Sequence, residues 1–162
     1  MSFVKPGPNK RVCAFFIDSI IAQTCGVIIS LSIGRDITWF VWVAIILLKD
    51  YAGGKSLGKT LVGIQVIDRN GLPANIVKTI SRNILMVLPV FPIIEYFVML
   101  RDAGEGKRIG DSYAKTMVTD LKPEVSDSVF LWISLALFLV TLIMQVVLGP
   151  MLVGQNSALM AG

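Results

Sequence analysis

The amino-acid sequence predicts an all-α membrane protein, a small helical bundle of two to three full spans plus one proline-broken segment. Two observations lead to this class. Hydrophobic residues make up 54% of the 162 residues and charged residues only 16%, with a mean hydropathy of +0.73. The apolar residues also gather in long charge-poor stretches. A soluble fold of this length has too small an interior to hide so much apolar surface.

The first two apolar segments differ in length. Residues 12–34 are long enough for a transmembrane helix, and they lack the short apolar core and small-x-small cleavage site of a signal peptide. Residues 37–48 are short for a span of about 20 residues. This segment can be longer only if the side chain of Lys49 extends so that its ammonium group lies at the membrane interface.

The third segment, residues 83–100, contains Pro89 and Pro92, which interrupt a helix. It either crosses the membrane or forms a re-entrant hairpin. The β-branched runs at 61–68 and 115–121 are predicted to be short strands, which can form a cytoplasmic β-pair if both lie on one side. The last segment, residues 128–152, reads as an additional C-terminal transmembrane helix, followed by a tail at 153–162.

The distribution of basic residues favours the re-entrant arrangement. Lys5, Lys10 and Arg11 place the N-terminus in the cytoplasm by the positive-inside rule. With a re-entrant third segment, fourteen of the fifteen basic residues stay inside, whereas a crossing segment leaves nine inside and six outside.

Composition also bears on chemistry and partners. The chain has no histidine, which removes His-based nucleophile systems and zinc sites, so we expect neither an enzyme nor a metal site nor a bound cofactor. The net charge of +4 is expected to face the lipid bilayer and its anionic headgroups rather than nucleic acid.

One motif matches the sequence pattern of a nucleotide-binding site. The sequence GGKSLGKT, residues 53–60, matches the phosphate-binding loop pattern. It follows an apolar segment and precedes a predicted strand, the reverse of the strand-loop-helix order that such a loop requires. We therefore expect no ATP binding. Instead, Gly58 and Lys59 are assigned to a flexible basic loop that contacts lipid phosphates.

Two acids lie inside apolar segments. Asp18 is about 9 Å into the first span, where an aspartate is normally paired, neutralised or turned to a polar cavity. Arg11 shares its helical face, but the rise between them is about 10 Å, so a third group is expected between them. Glu95 is read as an interfacial carboxylate and Arg82 as an interface anchor.

The ordered motifs KRVCAFFID, GKSLGKTLVGIQVIDRNGLP and RIGDSYAKTMV resemble the RDD family of bacterial membrane proteins. The resemblance covers about residues 8–120. It assigns the family's arginine and two aspartates to Arg11, Asp18 and Asp111, with Arg108 in the closing motif. It implies an integral protein of the bacterial inner membrane.

Two functions remain open. The first is a transporter or transport-associated subunit that handles a small cation or proton at Arg11, Asp18 and Asp111, because this trio carries one negative charge in excess. The second is a non-catalytic membrane scaffold or accessory subunit in which the same residues are structural. The trio is expected to converge at the cytoplasmic end of the first span, with Lys107 or Arg108 as bridging groups. A chain this small is expected to work as a homo-oligomer or with a membrane partner subunit.

Overall fold

The first helix, α1 (Pro8–Ile33), confirms the predicted long apolar helix. The computed structural model describes residues 4–51, 53–88, 91–101, 108–121, 126, 128–137, 139–140, 143 and 147. Over these residues, α1 is the one helix long and apolar enough to cross a membrane. Proline fits its first turn because the missing N–H is not needed there. Gly34 ends the helix with a φ of 69°, a left-handed conformation that glycine adopts at little cost.

The second helix, α2 (Thr38–Leu48), folds back along α1 as a tight hairpin. A Cβ added at Gly26 would lie 2.8 Å from the backbone oxygen of Thr38, so the two helices approach as closely as glycine permits. The Ser30 hydroxyl lies 3.0 Å from the hydroxyl of Thr38 and accepts a hydrogen bond from the Ile37 amide. As predicted, α2 is shorter than a full span.

A small cap, defined here as α3 (Leu57–Val62), β1 (Ile64–Asp68), α6 (Ile109–Tyr113) and β2 (Thr116–Asp120), packs beside α1. The predicted β-pair is confirmed, because β1 and β2 are antiparallel with Ile64 opposite Asp120. The predicted strand at 61–68 begins too early. Leu61 and Val62 belong to α3, and Gly63, with a φ of 79°, separates that helix from the strand.

The third apolar segment is broken, as its prolines predict. Helix α4 (Ile76–Asn83) runs into a 3-10 turn at Ile84–Val87, and a separate helix, α5 (Phe91–Arg101), follows. Asn83, where the apolar segment begins, is the last residue of α4. The 3-10 turn ends at Val87 and α5 begins at Phe91, so Pro92 lies in the first turn of α5.

Helix α4 has an inverted polarity. Its polar residues Thr79, Arg82 and Asn83 are buried against α2 and α6, whereas Val77 is 67% exposed. Outward apolar side chains are costly in water and favourable in lipid. This arrangement suits a helix whose outer face meets a membrane.

Two apolar clusters hold the elements together. The first joins α1 to the cap and to a further helix, α7 (Ser128–Leu137), through Cys13, Val62, Ile64, Val118 and Phe130. The second joins α1, α2 and the 3-10 turn through Ala22, Ile46 and Met86. The rest of the predicted last span and the tail at 153–162 lie largely outside the described residues.

Candidate functional site

Asp111 is the centre of a fully buried group of guanidiniums. It lies in the first turn of α6, where Arg108 is the residue before the helix. Arg11 Nη1 lies 3.0 Å from Asp111 Oδ2, and Arg82 Nη2 lies 3.1 Å from Oδ1. Arg108 Nη2 is 3.6 Å from Oδ1. One carboxylate thus gathers basic side chains from α1, α4 and the start of α6.

Asp50 forms a second buried centre, directly after α2. Its Oδ1 pairs with the Nζ of Lys59 from α3. Its Oδ2 accepts a hydrogen bond of 3.3 Å from Asn83 Nδ2 and lies 3.8 Å from Arg82 Nε. Arg82 therefore links Asp50 to Asp111.

Asp18 forms a third centre, near the middle of α1. Its carboxylate accepts hydrogen bonds from the Ser56 hydroxyl at 2.6 Å and from the Gly58 amide at 2.8 Å. Lys49 Nζ is 3.2 Å from Asp18 Oδ2 and also lies over the Phe15 ring. Asp18 thus connects the segment of Ser56 and Gly58 to α1.

Gly58 explains why the loop comes so close. A Cβ at this position would lie 2.2 Å from the backbone oxygen of Ala14 and 2.8 Å from Asp18 Oδ1. Only glycine lets the start of α3 approach the α1 backbone at this distance. The sequence pattern that imitates a phosphate-binding loop therefore has a local structural use, because its Gly58 amide donates to Asp18.

Arg82 joins two of the three centres by ion pairs, and the Asp18–Lys49 pair lies next to Asp50. We call the whole set the Arg/Asp network. Its described members are charged side chains with little or no exposure to solvent. They are Arg11, Asp18, Lys49, Asp50, Lys59, Arg82, Arg108 and Asp111. Buried ion pairs are costly to desolvate, and removing one partner leaves an uncompensated charge.

The surroundings fix the ionisation of the two carboxylates outside the apolar helices. Burial alone would raise the pKa of Asp111, but Arg82, Arg108 and Arg11 outweigh it and hold that pKa below its usual range. Burial would likewise raise the pKa of Asp50, and Lys59, Arg82 and Lys49 lower it instead. Both carboxylates are therefore ionised at neutral pH.

The structure brings together part of the predicted trio. Arg11 and Asp111 are in contact, as expected. Asp18 has other partners, since Lys49, Ser56 and Gly58 bind it. Arg108 contacts Asp111 instead of bridging to Asp18, and Lys107 lies outside the described residues.

Two supporting assignments are wrong. Arg82 was expected at the membrane interface, but its side chain is only 1% exposed. It is buried because its guanidinium pairs with the carboxylates of Asp50 and Asp111. Lys59 was expected to reach lipid phosphates, but its ammonium group is buried against Asp50. The side chain of Glu95, on α5, lies outside the described residues.

The described network contains more charged groups than the predicted trio of Arg11, Asp18 and Asp111. The trio alone has one negative charge in excess, which favoured a cation or proton. Lys49, Lys59, Arg82 and Arg108 add four positive charges, and Asp50 adds one negative charge. Among the described side chains, the network has five basic groups and three carboxylates, so the trio is only part of a larger charged group.

Sequence reasoning missed Lys49, Asp50, Ser56 and Asn83. A usable signal existed at Asp50, because an acid at the immediate end of an apolar helix needs a partner as much as one inside it. Lys49 was interpreted as a residue that extends to the interface. Its actual direction is inward, toward Asp18.

The described residues contain no group of three or more Asp, Glu or Cys side chains that could hold a metal ion. They do form a narrow cleft lined by Arg11, Phe15, Lys49, Lys59, Ile64, Arg82, Arg108 and Val118. Any small ligand of the network would be met by basic groups there.

Comparisons with known proteins bear on this arrangement. Neither the curated proteins nor the solved structures gave a match to the chain. A family model described as RDD family matches residues 36–149. The matched part contains Asp50, Lys59, Arg82, Arg108 and Asp111 and begins after Arg11 and Asp18. Because the match covers more than half of the chain, this protein belongs to the RDD family, whose domain is generally a membrane domain.

Proposed function

We propose that the protein is a non-enzymatic integral membrane protein, an accessory or transport-associated subunit whose Arg/Asp network is a structural lock. The observation that carries this proposal is the way each carboxylate binds groups from other elements. Asp18 joins α1 to the start of α3, and Asp111 joins α1 and α4 to α6. Such a network holds the cap against the first helix.

The proposed location is the bacterial inner membrane with the N-terminus in the cytoplasm. The inverted polarity of α4 supports immersion, and the apolar outer faces of α1 and α2 support it as well, with Phe40 68% exposed. These faces suit lipid tails or the helices of another copy or a membrane partner subunit.

The re-entrant arrangement puts residues 71 and 106 on the same side of the membrane. Labelling single cysteines at these positions from each side of sealed vesicles tests this arrangement, and labelling of position 106 from outside alone contradicts it.

A second candidate is transport of a small cation or proton through the same network. The observation in its favour is the concentration of ionisable groups inside a membrane domain, where such groups commonly mark ion or proton paths. Against a cation, each of the three described carboxylates is already paired with a basic side chain.

One variant separates the two candidates. Asp18→Asn keeps the shape of the side chain and removes the charge that Lys49, Ser56 and Gly58 bind. A structural lock predicts a lower unfolding temperature in lipid nanodiscs and no change in ion or proton flux per folded molecule in vesicles. A transporter predicts that flux is abolished while the fold is kept. Asp36→Asn, in the exposed turn between α1 and α2, is the matched control.

A further inference from the structure

Helix α3 turns apolar side chains outward and keeps its small and charged residues inside. Leu57 and Leu61 are 64% and 68% exposed, whereas Gly58 and Lys59 between them are buried. Residues four apart lie on the same face of a helix, so the two leucines form one outward pair. Water disfavours such a pair, and lipid does not.

Helices α6 and α4 have the same polarity. In α6, Ile109 and Tyr113 are exposed, whereas Gly110 and Asp111 are buried. Helix α4 turns Val77 outward above its buried polar residues. The ring of Tyr113, 76% exposed, is amphipathic, and such rings are enriched where a membrane meets water. We call these side chains the outer apolar residues, namely Leu57, Leu61, Ile76, Val77, Ile109 and Tyr113.

Lysines lie close to the outer apolar residues along the chain. Lys55 precedes α3 and is half-buried, and Lys115 follows α6 and is exposed. The described carboxylates of the cap are buried and paired with basic side chains. Lysine side chains extend along apolar surface and place their ammonium groups beside lipid phosphates. The charge at the ends of α3 and α6 therefore suits an anionic lipid surface.

The packing of α3 against α1 gives its depth in the bilayer. Gly58 lies so close to the backbone oxygen of Ala14 that an added Cβ would clash, so α3 is at the level of Ala14. From Ala14 to its end at Ile33, α1 rises about 28 Å. The exposed turn of Arg35 and Asp36 follows. With this turn at the outer surface of a hydrocarbon core about 30 Å thick, α3 lies at the cytoplasmic boundary of that core.

We infer that the outer apolar residues of α3, α4 and α6 lie in the cytoplasmic leaflet, where acyl chains meet headgroups, and that Lys55 and Lys115 contact the phosphates of anionic lipids there. Short amphipathic helices bind membranes in this way. The contact with lipid phosphates that was predicted for Lys59 is then made by Lys55, four residues earlier. The inference rests on the membrane location in the proposed function and does not depend on the structural lock.

The test places a nitroxide label at Leu61→Cys or Tyr113→Cys in the full chain in nanodiscs, after both free native cysteines have been replaced. Oxygen concentrates in lipid and a nickel chelate in water, so collisions of the label with each report its surroundings. We expect oxygen collisions to dominate at both positions. Ile28→Cys, exposed on the apolar part of α1, is the lipid reference. Asn70→Cys, in the exposed turn after β1, is the water reference.

The lysine contacts are tested with spin-labelled lipids. The fraction of lipid immobilised by the protein compares the association of phosphatidylglycerol, which is anionic, with that of phosphatidylcholine. We expect the wild type to favour phosphatidylglycerol by about twofold or more, and both Lys55→Gln and Lys115→Gln to lower this preference. Arg69→Gln is the matched control, because Arg69 is exposed at the end of β1 far from α3. Its preference should equal that of the wild type.

Several results would overturn the inference. Nickel collisions that dominate at positions 61 and 113 while position 28 reports lipid would do so and leave the proposed membrane location intact. A water-like signal at position 28 would overturn both. Labels at 61 and 113 that neither reagent reaches would mean that a second copy or another protein covers these helices. Equal lipid preference in Lys55→Gln, Lys115→Gln and Arg69→Gln would overturn the phosphate contacts. The structural lock is judged separately, by the stability of Asp18→Asn.

Discussion

Arg11 Nη1 lies 3.0 Å from Asp111 Oδ2, across a separation of 100 residues along the chain. This contact joins the first turn of α1 to α6, just before β2. Arg82 and Arg108 contact the same carboxylate. Asp111 therefore takes part in three ion pairs of this group, whereas each arginine makes one ion pair with Asp111.

This inequality predicts different costs for two variants. Asp111→Asn removes the carboxylate charge that three buried guanidiniums share and should lower the free energy of unfolding by about 3–5 kcal/mol. Arg11→Gln leaves Asp111 with two arginines and should cost less. Denaturant unfolding in mild detergent measures both, and a larger loss in Arg11→Gln would contradict this ranking.

Gly58 gives a second prediction. Gly58→Ala should destabilise the protein by about 1–3 kcal/mol or more, because the added Cβ meets the Ala14 backbone oxygen at 2.2 Å. Gly53→Ala is the matched control. Unlike Gly58, Gly53 has a positive φ, of 65°, and no atom lies within 4 Å of its added Cβ, so Gly53→Ala carries a conformational cost and no steric one. Wild-type stability in Gly58→Ala would show that α3 does not pack on α1 in this way.

The buried carboxylates predict sensitivity to acid. The folded-state pKa values of Asp50 and Asp111 lie below those of the unfolded chain. Their contribution to stability is therefore complete above about pH 4, the ordinary pKa of aspartate, and is lost as the pH falls through the folded-state values. Unfolding temperature should drop steeply below about pH 4 in the wild type. Asp111→Asn should show a flatter acid dependence, and Asp36→Asn should follow the wild type.

Helix α4 gives a prediction about the membrane. An environment-sensitive fluorophore on Val77→Cys should report an apolar surrounding in nanodiscs, because this side chain is 67% exposed on the apolar face of α4. The same label on Asn70→Cys, in the exposed turn after β1, should report water. Both native cysteines are replaced first, since they are free thiols. A water-like signal at position 77 would contradict immersion of α4.

The sequence predicted much of the fold because its signals are local. The length of α1, the proline break before α5 and the pairing of β1 with β2 follow from composition, proline chemistry and β-branched runs. The boundary between α3 and β1 was missed, because Leu61 and Val62 suit either structure and only Gly63 separates them.

The site was predicted less well because its geometry is not local. The contact between Arg11 and Asp111 was expected from the topology. The inward direction of Lys49, Lys59 and Arg82 was not, because the same side chains reach lipid headgroups in many membrane proteins. Without those partners the trio looked anionic, whereas the described network contains four further basic side chains, Lys49, Lys59, Arg82 and Arg108.

The central claim is that the network locks α1 to the cap, and a double-mutant cycle between Arg11→Gln and Asp111→Asn tests it most directly. Free energies of unfolding for the wild type, both single variants and the double variant isolate the coupling between these two side chains. The account predicts that the double variant loses less stability than the two single losses combined, by about 1–3 kcal/mol. Strictly additive losses would contradict it, because Arg11 and Asp111 would then contribute to stability without contacting each other.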